Sequence, residues 1–209
     1  MISEWLAFLQ YKLGAEFDAA GHAVLDTSWS AQLLGSDRLW MLLEGTHVLT
    51  LMLFAGSILF VDLRLLGLIF RTVPVSKVAD TILPYTVAGF IVMVITGVAL
   101  FYANPLEYYY NIVFRLKIAF ILAAALNIFI FHYRLQRDRA AWDAAAKPPR
   151  KARIAAATSL GLWISVIVAG RFVAYEWFSC ANATGLAAAV AQCQERAVTV
   201  ASIESELAQ

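Results

Sequence analysis

Four apolar runs, at 39–61, 83–103, 112–133 and 155–177, each approach or exceed the ~20 residues an α-helix needs to cross a hydrocarbon core. In lipid a segment must satisfy its own backbone hydrogen bonds, so an isolated run of this kind has one regular option, the helix. The rest of the chain agrees. With 61% hydrophobic and 15% charged residues and a mean hydropathy of +0.70, a 209-residue chain carries more apolar surface than one water-soluble core can bury. The expected fold is all-α, an integral membrane four-helix bundle over 39–177. It is preceded by an N-terminal amphipathic, interfacial segment at 1–38 and followed by a short extracytoplasmic C-terminal tail at 178–209. The connections are short, so the bundle is one domain. Trp5, Phe8, Trp29 and Trp40 are candidate interface anchors. The opening MISEWLAFLQYKLG has Glu4 ahead of any basic residue and a broken apolar stretch, so cleavage as a signal peptide is not expected.

Lysine and arginine set the expected orientation. The connection between the third and fourth runs carries Arg134, Arg137, Arg139, Lys147, Arg150, Lys151 and Arg153, and that between the first and second carries Arg64, Arg71 and Lys77. The other side offers Lys12, Arg38 and Arg196. By the positive-inside rule both termini face away from the cytoplasm, as in a multi-pass protein of a bacterial inner membrane. Cys180 and Cys193 both follow the fourth run, where an oxidising compartment lets them pair.

Ionisable residues inside such helices are costly and usually functional. His47 lies in the first run, three residues after Glu44 and on the same helix face. It precedes Asp62, at the cytoplasmic end, by fifteen positions, or roughly 22 Å of helix. The same count on the other helices brings Arg115, Lys117 and Arg171 to the level of His47, together with the uncharged stretch from Thr96 to Tyr102. Tyr108, Tyr109, Tyr110, Tyr175 and Trp177 rim the group. Three cations, one acid and one imidazole suit an anionic ligand. A haem b fits, with His47 as axial ligand and Glu44, Arg115, Lys117 and Arg171 around it, the cations neutralising the propionates. A quinone head group or an anionic lipid would use the same groups without iron. The bland reading has Arg115 and Lys117 snorkelling, Arg171 paired with Glu44, and His47 donating to a carbonyl.

His132 lies near the cytoplasmic end of the third helix, roughly 20 Å below His47, too far to share a haem with it. If it acts, it acts with Asp62, Arg64 and Arg71; by default it is interfacial. His22 is on the side of His47, and by default is a solvated histidine. Gly161, Ser165 and Ala169, Gly56 with Ser57, and Gly89 with Gly97 read as small surfaces for helix packing. Asp62 and Arg64 read as a local salt bridge at the helix exit. No phosphate loop, nucleophile elbow or His/Cys metal signature is present, and nothing suggests nucleic-acid binding.

EGTHVLTLMLFAGSILFVDLRLLGL (44–68), the stretch 83–132 and LWISVIVAGRFVAY (162–175) resemble an uncharacterised family of small bacterial four-helix membrane proteins. The likeness rests on Thr46-His47, DLRLLG at 62–67, Phe114-Arg-Leu-Lys117 and Ala169-Gly-Arg171. It implies a fold and no activity. A more distant similarity is to CopD-like copper-resistance proteins and to small membrane protoporphyrinogen oxidases that bind haem b, matching at His47, Gly56 and Lys117. Where their later motif has histidine this chain has Arg115, so a two-histidine site does not carry over.

Three functions follow as expectations. One is a haem-carrying redox protein working between a quinone and a periplasmic partner. Another is a non-catalytic subunit or assembly factor that binds lipid and a partner protein. The last is a copper-handling protein or small transporter, which fits least, since Met41, Met52 and Met93 form no array with His47. Whether the protein is an enzyme stays open.

Overall fold

A computed structural model describes residues 2–19, 23–24, 26–135, 141–175 and 179–207. Among them the helices are α1 (Ile2–Ala7), α2 (Trp29–Gly35), α3 (Asp37–Leu65), α4 (Val75–Ala103), α5 (Pro105–Tyr110), α6 (Ile112–Ile130), α7 (Arg150–Ala174), α8 (Gly185–Ala191) and α9 (Cys193–Leu207). Single π-helical turns follow α1 and α6, and the described residues form no strand. Helices α3, α4, α6 and α7 are long and apolar enough to cross a membrane. The protein is an all-α, multi-pass membrane four-helix bundle. Leu49, Met52, Ile95, Leu122, Phe129 and Ile164 are each at least 60% exposed, a surface that requires lipid against it.

The chain divides into two compact units. One comprises 48–94 and 116–169, and the other 1–47, 95–115 and 170–209. In the first of these all four long helices meet. Phe54 of α3, Ala124 of α6, and Trp163 and Val166 of α7 form its buried centre, with Met93 of α4 packed against them. The rings of Phe54 and Trp163 meet edge to face at 4.8 Å, a favoured aromatic geometry. A Cβ at Gly89 would lie 3.1 Å from the Phe54 nitrogen, so α3 and α4 approach closely there. The small-residue expectation holds at Gly89 and at Gly97, where a Cβ would lie 3.0 Å from the ring of His47. It fails at Gly56 and Gly161, where a Cβ would meet none of the described residues within 4 Å.

α4 begins at Val75, well ahead of its apolar run, because a distant residue caps it. Val75 N donates to the Asp143 carbonyl at 3.0 Å, Ser76 N donates to Asp143 Oδ1 at 2.7 Å, and the Ser76 hydroxyl donates to Oδ2. These satisfy donors that a helix start leaves open. The same connection holds Arg64, which is fully buried. Its Nε donates to the Val73 carbonyl at 2.8 Å and its Nη2 to the Ala145 carbonyl at 3.0 Å. Gly67 has φ +72°, and a Cβ on it would stand 3.1 Å from the Ala146 carbonyl, so glycine is required in this turn. The expected Asp62–Arg64 salt bridge does not form. Arg64 spends its guanidinium on two carbonyls, and the Asp62 carboxylate accepts instead from Ser159.

In the other unit, Leu6 and Ala7 of α1, Leu106 and Tyr110 of α5, and Ile203 of α9 form the core. Ser28 caps α2 by accepting from Ala31 N at 3.2 Å, and Ser30 Oγ donates to the Ala103 carbonyl at 2.8 Å. The N-terminal segment does form short helices. The tail is more than the short appendage expected: α8 and α9 are joined back to residue 180 by the Cys180–Cys193 disulfide, Sγ–Sγ 2.07 Å.

Candidate functional site

The membrane-spanning histidine has a defined setting. His47 Nδ1 lies 2.9 Å from Thr96 Oγ1, a hydrogen bond from α3 to α4 within one unit. The ring fits against α4 because residue 97 is glycine. The depth count sets Thr96 at the level of His47, and the structure joins the two.

Some of the charged groups expected beside it have partners of their own. Arg115 turns to the C-terminal helices: Nε donates to the Tyr109 carbonyl at 2.7 Å, Nη1 to the Val190 carbonyl at 3.3 Å, and Nη2 to Gln192 Oε1 at 3.1 Å. Its guanidinium also sits 5.0 Å from the Tyr109 ring centre, within cation–π range. Arg171 donates through Nη2 to the Tyr175 hydroxyl at 2.9 Å and lies 4.6 Å from that ring. Glu44 is exposed and forms no ion pair with Arg171. Lys117, on α6 in the other unit, is half-buried and makes no hydrogen bond or ion pair among the described residues. Tyr110 is a core residue, 1% exposed, rather than part of a rim. His22, Trp177, Arg137 and Arg139 lie outside the described residues.

Sequence reasoning passed over Asn127, Ser159 and Asp143. Asn127 sits in the third apolar run, where a lone amide must find a partner, and its Nδ2 donates to the Ala155 carbonyl of α7 at 3.0 Å. That isolation in an apolar run was the available signal. Asp143 gave none, because its role depends on a helix start far away in sequence. Among the described residues no group of three or more His, Cys, Asp or Glu is gathered as a metal centre would need. His132 is exposed and lines a cavity that Asp62 also lines.

Fold and setting together define a multi-pass helical membrane protein whose spans carry fixed polar groups. Residues 41–176 match the model of a family of unknown function (DUF6644), and the chain belongs to that family. No curated protein and no solved structure matches it.

Proposed function

We propose that this is a membrane redox protein that binds haem b with His47 as an axial ligand, moving electrons between a quinone and a partner outside the cytoplasm. The observation that carries the reading is the His47–Thr96 hydrogen bond. A ligating imidazole works with its other ring nitrogen held by a second group, which fixes tautomer and ring direction, and Thr96 stands 2.9 Å from Nδ1. The residues fit a haem at this one position. Arg115 and Arg171 fit it less well as propionate partners, since both have partners in their own unit. Lys117, in the other unit, has no such partner among the described residues. When bound, haem b would supply one-electron transfer; the protein's part is to orient His47 and keep water from it.

The basic residues of the two loops support a bacterial cytoplasmic membrane location with both termini extracytoplasmic, and the Cys180–Cys193 pair supports an oxidising compartment for the C-terminal helices.

A non-catalytic subunit or assembly factor is the second reading. Lys147, Arg150, Lys151 and Arg153 are all exposed, a surface for anionic lipid or an acidic partner. Copper handling or transport is weakest, for want of soft ligands about His47.

The test is an optical spectrum of the detergent-purified protein before and after dithionite, with a pyridine haemochrome assay. Sharp reduced bands at near-stoichiometric haem, lost in His47→Ala and kept in His132→Ala, are expected. A colourless protein from haem-replete cells refutes the haem reading and favours the subunit reading.

A further inference from the structure

A cavity of about 270 Å³ opens within the unit formed by 48–94 and 116–169. Its wall is mainly apolar, yet it holds two carboxylates, Asp62 and Asp80, and neither lysine nor arginine among its described lining. Asp62 is only 5% exposed, and its Oδ2 has no hydrogen-bond partner among the described residues. The Ser159 hydroxyl is a side-chain hydrogen-bond partner of this carboxylate. Asp80 and His132, both exposed, also line the cavity. Phe131 and Trp142 supply aromatic surface to the same cavity.

A buried carboxylate oxygen without a donor is costly and stays so until a donor arrives. Arg64, two residues away, does not serve, being committed to two carbonyls. A donor brought by a ligand would satisfy the oxygen, since none of the described residues does. An apolar wall selects a ligand with an apolar body, the carboxylates select a positive head, and aromatic rings receive a substituted ammonium through their faces. A phosphate would meet two carboxylates and neither lysine nor arginine among the described lining, which disfavours a zwitterionic lipid head group.

We propose that this cavity is a binding site for a small organic ammonium ion with an apolar body of one or two rings, its head received by Asp62 and the aromatic faces of Phe131 and Trp142 and its body along the apolar wall. The site lies in the unit that does not contain His47, and the inference does not depend on haem.

Isothermal titration of the full chain in neutral detergent tests it, with benzyltrimethylammonium as probe and neopentylbenzene, its uncharged carbon isostere, as comparison. The cation should bind saturably at one site and the isostere at least about tenfold more weakly. Asp62→Asn should weaken the cation by about tenfold or more, and Trp142→Leu by about threefold or more. Ala79→Leu fills the cavity without touching a charge and should also abolish binding, so a folding defect in Asp62→Asn does not leave the question undecided. Equal binding of cation and isostere, no binding by the wild type, or full affinity in Ala79→Leu overturns the proposal. Displacement of the probe by dihexanoylphosphatidylcholine below its micelle concentration also overturns it, in favour of a lipid head group.

Discussion

Replacing Arg64 by methionine keeps most of the aliphatic stem and removes the guanidinium. The loss is two hydrogen bonds, to the Val73 carbonyl at 2.8 Å and the Ala145 carbonyl at 3.0 Å. A bond from a charged donor contributes about 1.5–3 kcal/mol. Against this, the arginine is fully buried and its Nη1 lacks a partner among the described residues, so removing it relieves part of a desolvation cost. The net loss is about 3 kcal/mol, equivalent in a chain of this size to a fall of roughly 6–12 °C in melting temperature. The two carbonyls belong to the connections before α4 and before α7, so the damage should be local before it is global. Circular-dichroism melting in dodecylmaltoside gives the first number. Timed trypsin digestion gives the second, with faster cleavage at Arg150 in the variant. A melting temperature within about 2 °C of wild type and an unchanged cleavage rate would show that Arg64 does not clamp these connections.

Thr96→Val removes the partner of His47 Nδ1 and should lower haem retention by roughly 10- to 100-fold, read by haemochrome assay, with little change in melting. Gly97→Leu puts a Cβ 3.0 Å from the His47 ring and should displace it, whereas Gly161→Leu, with nothing described within 4 Å, should be silent; equal haem loss in both would remove the steric argument. Replacing Cys180 and Cys193 together by serine opens a loop of sequence separation 13. It should cost about 3 kcal/mol, seen as a lower melting temperature that reductant no longer changes.

The four spans were legible because lipid leaves a long apolar run one regular structure. Their ends were less so. Val75 starts α4 because Asp143 reaches it from another loop, and local sequence carries no mark of that approach. The His47–Thr96 pair was half legible, since counting residues along two antiparallel spans gives level but not which side chains face each other. The fate of Arg115 was hidden for a different reason. Two of its three acceptors, Val190 and Gln192, come from the segment after the bundle, and apolar periodicity says nothing of where a disulfide-bonded segment docks. Within DLRLLG, Asp62 and Arg64 were wrongly paired with each other. Two opposite charges two residues apart on a helix point in different directions, and each found a partner elsewhere.

The core shared by Leu6, Tyr110 and Ile203 imposes an order on biosynthesis. Its three contributors are separated by nearly the whole chain, so α1 and α5 wait, incompletely covered, while the last two spans and the C-terminal helices are still being made. The Arg196–Glu107 ion pair and the Cys180–Cys193 bridge likewise wait for the residues after the fourth span. The other unit draws on residues 48–169 alone and can assemble while the ribosome is still at work. A chain cut before residue 203 would keep every residue of the bundle centre and lose one side of the core that Leu6 and Tyr110 share with Ile203.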